Sequence, residues 1–502
     1  MPNSKKLTHV RPDSAIWEGL QSYASLPAWV ITATDPLRVI HAMDHGIPEF
    51  TSGNKILRNC DIHHVRYKDG KWSGTYKLEV EDKTNGTKGA EVRLLGTFLP
   101  PDQIRGRKME VTGRLGEDSW YGFLPEVNLE FQKLEPEKVL AALSLLTDPE
   151  GSRQLLEKSI RAGSPRYANL HIEACTPKVV RYKPGSRCTV VYQLEYPQGN
   201  SSDPSWPNLV VAKTYRNEKG VNAYQSMRAV WESPLGTSKE VAVAEPLAYL
   251  PDMRVLVQGP IREQQTLKEM VRSAVCTRSK ESIEEMFSFM RKTAAGVVAL
   301  HTSRVQSGLT WTWENELAVV QEQVDNLAAS IPALKVGTEP LINQLVALAL
   351  AYPPDRPVPS HGSFRPAQVL ISDGKIGFID FDSFCQSEPA LDLALFLGNV
   401  KSIGLTAFEE DEEAPVLDRP EQEARLELLE NACRVFLDEY ETSLPVSHQR
   451  ISLWETLDLL TIVIHSWTKV KPVRLQNTLF LLEQHLRRNG LVEYAETTRE
   501  YK

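Results

Sequence analysis

Several things are scarce in this chain of 502 residues. There is no apolar run near the roughly 20 residues that a membrane-spanning helix needs. There are only six cysteines, Cys60, Cys175, Cys188, Cys276, Cys385 and Cys433, scattered without a C-x-x-C pair, which argues against a disulfide framework and a zinc site. No tail or block is strongly basic, and 57 Lys and Arg against 65 Asp and Glu leave a formal charge of −8. Phosphate-backbone binding needs clustered cations, so a nucleic-acid partner is not expected. The opening Met1-Pro2-Asn3-Ser4-Lys5-Lys6-Leu7-Thr8-His9 lacks the apolar core of a secretory signal. A cytoplasmic protein with neither a membrane nor a nucleic-acid partner is the expectation.

What is present is ordinary globular composition, 41% hydrophobic and 24% charged, in a length that suits about three folding units or two large ones. The first half contains a repeat. Cys60-Asp61-Ile62-His63-His64-Val65-Arg66-Tyr67-Lys68-Asp69-Gly70 aligns without a gap with Cys175-Thr176-Pro177-Lys178-Val179-Val180-Arg181-Tyr182-Lys183-Pro184-Gly185. After one inserted residue, Tyr76-Lys77-Leu78-Glu79 matches Tyr192-Gln193-Leu194-Glu195. Leu95-Gly96-Thr97-Phe98 then faces Ala212-Lys213-Thr214-Tyr215, and Leu124 to Gln132 faces Leu250 to Gln258. Each copy reads as a small antiparallel sheet, with β-branched and aromatic strands separated by Gly- and Pro-containing turns.

From about Glu263 the period becomes helical. Ile283, Met286, Phe287, Met290, Ala294, Val297 and Val298 form one apolar stripe. Further helices are expected at 313–330, 339–352, 420–443, 449–468 and 474–489. One interruption, at 358–384, holds two short strands around an Asp373-Gly374 turn. The fold class is therefore α+β, in three segments: 1–140 and 141–259, the two sheet copies, then a helical 260–502.

The interruption carries His361-Gly362-Ser363-Phe364-Arg365-Pro366-Ala367-Gln368, then Ile379-Asp380-Phe381-Asp382, then Glu388-Pro389-Ala390-Leu391-Asp392-Leu393-Ala394. This resembles the aminoglycoside phosphotransferase and choline kinase family, whose pattern is H-G-D-x-x-x-x-N, then I-D, then D-P-x-x-D-L-A. The upstream Leu300-His301 is similar to its L-H pair. The resemblance implies a bilobal protein-kinase-like fold, here with tandem antiparallel-sheet N-lobes followed by one helical C-lobe.

It also implies the cosubstrates, ATP with Mg²⁺, and roles for single residues. Lys213 would hold the α- and β-phosphates. Ser186 and Arg187, with Arg181 and Gly185, lie on the turn that would cover the phosphates. Gln258 would lie at the hinge that receives the base. Asp380 and Gln368 would be the metal ligands. His361 would organise the loop backbone and Asp392 would brace it. The acceptor would be a hydroxyl of a small molecule or a peptide.

The sequence departs from the family at three places. Ser363 stands where the family has the aspartate that takes the acceptor's proton, and loss of a general base typically costs about 10²–10⁴ in rate. Asp382, two residues past Asp380, is the nearest carboxylate in sequence and the substitute candidate. The helix 220–231 has no acidic residue in its middle to pair with Lys213; Glu232 lies at its end. The first sheet copy has Gly96 where the second has Lys213, so that copy is expected to serve as a structural or protein-partner module. Two readings follow: an ATP- and Mg²⁺-dependent phosphotransferase, or a pseudokinase that binds nucleotide or a partner as a scaffold. The acidic run Glu409-Glu410-Asp411-Glu412-Glu413 is weighed as a recruiter of cationic substrate against an ordinary solvated loop, and Trp311 and Trp313 are expected in packing.

Overall fold

The computed structural model describes residues 12–83, 87–134, 142–183, 187–197, 206–216, 218–306, 309–407 and 417–493. Ser186, Gly185 and the run 409–413 lie outside them. The chain forms two compact units: Met1–Pro136 with Leu317–Ala351 and Thr456–Lys502, and Glu137–Glu316 with Tyr352–Glu455.

The first unit is built on a six-stranded antiparallel sheet. Its strands are β1 (Lys55–Lys68), β2 (Lys71–Asp82), β3 (Thr87–Phe98), β4 (Glu110–Thr112), β5 (Tyr121–Leu124) and β6 (Leu129–Lys133), in the order β1-β2-β3-β6-β5-β4. Alternation along β2 turns Trp72, Tyr76, Leu78 and Val80 into the core. Gly96 on β3 makes room for one of them, because a Cβ there would lie 2.3 Å from the Tyr76 ring. Helices from later in the chain complete this unit. Gly19 in the helix Ser14–Leu20 and Gly337 in the helix Pro332–Ala351 meet so closely that a Cβ on Gly19 would lie 2.3 Å from the Gly337 carbonyl oxygen. Trp467 packs on Trp72 with ring centroids 5.0 Å apart.

The second unit begins with a five-stranded antiparallel sheet. Its strands are β7 (Ala174–Lys183), β8 (Arg187–Glu195) and β9 (Leu209–Thr214). After the short β10 (Ala242–Val243) come β11 (Pro246–Leu250) and β12 (Val255–Gln258). The order β11-β12-β9-β8-β7 reproduces β5-β6-β3-β2-β1 of the first sheet. The last hairpin of each turns through a 3₁₀ segment, Pro125–Val127 or Pro251–Met253, ending in a left-handed residue, Asn128 (φ 53°) or Arg254 (φ 51°). This duplication matches the sequence repeat and reaches further upstream than it. Thr34-Asp35-Pro36 and Thr147-Asp148-Pro149 both start a helix with the aspartate as N-cap and proline as first residue. The matched tyrosines also bond back to matched places: Tyr76 donates to the Ala33 carbonyl at 2.6 Å and Tyr192 to the Leu146 carbonyl at 2.9 Å.

The register corrects one sequence pairing. Gly74 lies opposite Gly96 and Val190 opposite Ala212, while Ser73 lies opposite Thr97 and Thr189 opposite Lys213. Lys213 therefore corresponds to Thr97, and Gly96 to the buried Ala212. Side-chain identity alone placed the two strands one residue out of step, and one residue exchanges the two faces of a strand.

The rest of the second unit is helical: Leu267–Thr277, Lys280–His301, Ala390–Leu405 and Arg419–Glu441. Thr266 and Glu269 form a capping box that starts the first of these. Into this body is set a four-stranded sheet of β10, β13 (Gln265–Thr266), β15 (Val369–Ser372) and β16 (Lys375–Phe378), beside the pair β14 (Val358–Ser360) and β17 (Cys385–Ser387). Asp373 and Gly374 turn the β15–β16 hairpin with φ of 50° and 74°, the conformation an Asp-Gly pair favours. Phe364 stacks on Phe396 and Phe396 on Phe436, at 5.3 and 4.4 Å. A five-stranded antiparallel sheet followed by a mostly helical body gives the second unit an α+β architecture.

Candidate functional site

The β15–β16 hairpin carries one expected residue at each end. Gln368 precedes β15, Asp380 follows Ile379 after β16, and the Ile379 amide donates to the Gln368 carbonyl at 3.1 Å. Asp380 sits in the left-handed region, φ 74° and ψ 49°, where a non-glycine residue persists only if its surroundings impose it. Its carboxylate accepts from the Lys213 ammonium at 2.5 Å. Two residues 167 apart in the chain, one from each lobe, are thus joined. Burial opposes ionisation of Asp380, but the charge and hydrogen bond of Lys213 outweigh it, with help from Arg187 and His361, and hold the carboxyl below its usual range.

Asp382 is held separately. Tyr215 donates to its Oδ1 at 2.7 Å and Arg187 to its Oδ2 at 3.2 Å. The Arg187 guanidinium lies 5.6 Å from the centre of the Tyr215 ring, so the three groups form one clamp. Burial, reinforced by Asp382, pushes the Tyr215 phenol above its ordinary value. Tyr215 was not singled out in the sequence; its signal was its place two residues beyond Lys213.

The loop His361–Ser363 is fixed from below. Asp392 is fully buried and accepts from the His361 amide at 2.6 Å and the Gly362 amide at 2.9 Å. The His301 Nε2 lies 3.2 Å from the same carboxylate, and its Nδ1 lies 2.8 Å from the Tyr440 hydroxyl. The His361 Nε2 bonds the Ile379 carbonyl at 3.0 Å. Gly362 has φ 76°, and a Cβ there would lie 2.0 Å from the Ser383 carbonyl oxygen. The side chain of Ser363 has two partners, both at 3.5 Å: the His361 Nδ1 and the Gln368 Nε2. Gln368 Oε1 is buried without a hydrogen-bond partner, which is unusual for an amide oxygen. An amide oxygen and a carboxylate such as that of Asp380 are the hard oxygen donor types that suit Mg²⁺. No group of three or more His, Cys, Asp or Glu able to hold a metal occurs among the described residues.

Gln258 ends β12, buried, paired with Val211. Glu232 bonds Arg228 at 2.7 Å, so the carboxylate on Lys213 is Asp380. Trp313 packs edge-on to Trp454 at 5.4 Å, and Trp311 donates to Glu316 at 2.9 Å. Glu388 is buried on Arg450 and accepts from Trp454 at 2.7 Å.

Residues 238–428 match the model of the phosphotransferase enzyme family. Among solved structures, the chain is similar to an aminoglycoside phosphotransferase in complex with GDP and kanamycin (14% identity, 66% of this chain and 98% of that one, TM-score 0.39). It is also similar to a choline kinase from Streptococcus pneumoniae (13%, 67% and 98%, TM-score 0.41). A third is a glucosamine kinase in complex with glucosamine, ADP and inorganic phosphate (13%, 92% and 100%, TM-score 0.44). No curated protein matches the sequence. Among the described residues no helix is long and apolar enough to cross a membrane. The matched stretch, 238–428, contains the loop, the hairpin and Asp392.

Proposed function

We propose that the second unit binds ATP with Mg²⁺ and transfers the terminal phosphoryl group to a hydroxyl of a small molecule or a peptide side chain. The observation that carries this reading is the Lys213–Asp380 ion pair. Phosphoryl transfer needs positioned charge more than covalent chemistry. In this reading Lys213 holds the α- and β-phosphates, and Arg187 neutralises phosphate charge beside it. Gln258 receives the base at the hinge. Asp380 and Gln368 hold the metal, which when bound neutralises the phosphate charge. His361 and Asp392 keep the loop in shape, and Ser363 stands beside the acceptor.

The segments 1–140, 141–259 and 260–502 then act as a modified N-lobe, a nucleotide-binding N-lobe and a C-lobe. The first copy, with Thr97 in place of the lysine, serves as a structural or protein-partner module. Six free cysteines, five of them buried, favour the cytoplasm, without a membrane or nucleic-acid partner.

A second reading, a scaffold that binds nucleotide or a partner protein without efficient transfer, is favoured by Ser363 and by the engagement of Asp382 with Tyr215 and Arg187. The test is a thermal melt with and without Mg–ATP, followed by ADP release with glucosamine, choline, kanamycin and serine-containing peptides as acceptors. Saturating nucleotide at about a hundred times Kd adds about 2.7 kcal/mol of stability, a shift of several degrees. That shift should vanish in Lys213→Ala and Asp380→Asn. A wild-type protein whose melt ignores Mg–ATP would overturn the phosphotransferase reading and the nucleotide-binding form of the scaffold. A shift with no ADP from any acceptor would select the scaffold.

A further inference from the structure

Resting on that reading, we infer that Ser363 and His361 form a proton relay that takes the place of the missing aspartate. The argument is a count of hydrogen-bonding capacity. The His361 Nε2 faces the Ile379 carbonyl at 3.0 Å, and a carbonyl can only accept, so Nε2 carries the proton. In the neutral ring the other nitrogen, Nδ1, is then a bare acceptor, and it faces the Ser363 hydroxyl at 3.5 Å. A serine hydroxyl has one proton and two lone pairs. Its proton is directed to Nδ1, and one lone pair accepts from the Gln368 amide at 3.5 Å. One lone pair is left, free to accept from the hydroxyl of an acceptor molecule.

Both contacts are long, as such contacts commonly are before substrate closes the site. The imidazole is buried and its backbone is pinned by Asp392, so the ring is held ready without substrate. Ser363 lacks basicity of its own, but a hydroxyl between a donor and a base passes a proton on without holding charge. The carboxylate of Asp382 is already occupied by Tyr215 and Arg187.

The step balances. As the acceptor oxygen bonds to the terminal phosphorus, its proton moves to the Ser363 oxygen and the Ser363 proton moves to the His361 Nδ1. The bond from that phosphorus to the bridging oxygen breaks, and its electron pair leaves with ADP. The imidazolium returns its proton to solvent when products depart. Ser363 touches the acceptor, whereas His361 acts through Ser363.

The experiment measures ADP release, with the Mg–ATP melt shift run alongside to report nucleotide binding, in the full chain and in Ser363→Ala, Ser363→Asp, His361→Asn and the double variant Ser363→Asp/His361→Asn. Ser363→Ala keeps every bond His361 makes to the backbone, so it should keep the melt shift and KM for ATP while kcat falls about a hundredfold or more. Ser363→Asp should restore turnover, because a carboxylate takes the proton directly. His361→Asn should cost as much as Ser363→Ala in the serine background and several-fold less in the aspartate background. A purely structural histidine would cost the same in both. Equal losses overturn the relay, as does turnover in Ser363→Ala within about threefold of the parent. Turnover that appears only in Ser363→Asp also overturns it and favours the scaffold. Loss of the melt shift in the unaltered chain is a separate failure, of nucleotide binding itself.

Discussion

At the scale of single residues, the site is a set of charges and backbone groups each held by a named partner. Asp380 shows how pH enters. Its folded pKa lies below the unfolded value, about 3.9 for aspartate, so the ionised form favours the folded state. That contribution is fully present above about pH 4 and is lost as pH falls through the folded value. Urea unfolding between pH 6 and pH 2.5 should show the parent losing stability below pH 4 more steeply than Asp380→Asn, which has no carboxylate to protonate. Parallel curves would refute the pairing. Gly362 gives a second prediction. Alanine there meets both a positive φ and a backbone oxygen at 2.0 Å, so Gly362→Ala should destabilise by about 2–4 kcal/mol, read as a lower denaturation midpoint.

Much at this scale was legible, because motif spacing fixes which residues follow a strand and which start a helix. The clamp on Asp382 was not. Tyr215 is a core-type aromatic whose hydroxyl meets a residue 167 positions away, and periodicity carries no information about such a pairing.

At the scale of elements, the repeat shows what a sequence comparison sees and misses. Strand chemistry was visible, since Cys, Val, Arg, Tyr and Lys recur in order. The helix starts at Asp35 and Asp148 were not, because the helices that follow run 11 and 15 residues and keep only their caps in common. The helix after the third strand has diverged further, Pro101–Ile104 in one copy against Lys219–Trp231 in the other. Gly96 and Tyr76 test the packing of the first copy. A methyl on Gly96 would press on the Tyr76 ring and on Leu129, so Gly96→Ala should cost about 1–3 kcal/mol, the usual range for overpacking a core. Tyr76→Phe loses the bond to Ala33 and should cost about 1 kcal/mol. If the ring is what Gly96 accommodates, Gly96→Ala paired with Tyr76→Ala should cost less than the sum of the two singles in thermal melts. Strict additivity would show that Gly96 is there for another reason.

At the scale of the whole molecule, the helical half of the chain divides between the two units. Leu317–Ala351 and Thr456–Lys502 belong with the first sheet copy. Helical periodicity reveals that a face is buried but not which partner buries it, so this division could not be read from the sequence. Inside the first unit Leu341 and Leu345 are fully buried, and Trp467 donates to the Ser25 carbonyl at 3.2 Å. A chain lacking residues 1–136 therefore keeps helices whose apolar faces have lost their cover. It should bind a hydrophobic dye strongly and elute as aggregates from a sizing column. A monodisperse product with no dye binding would contradict the division.

The same division bears on how the protein is made. Asp13 donates its amide to the Leu491 carbonyl at 3.1 Å, so residues near opposite ends of the described stretch are neighbours in the finished first unit. The second unit ends at Glu455, whereas the first includes Thr456–Lys502. On the ribosome the later-encoded sheet has all its parts before the earlier one does. Until then Trp72 on the earlier sheet lacks Trp467, whose ring lies 5.0 Å from its own, and the Thr468 carbonyl that accepts from its indole at 3.2 Å.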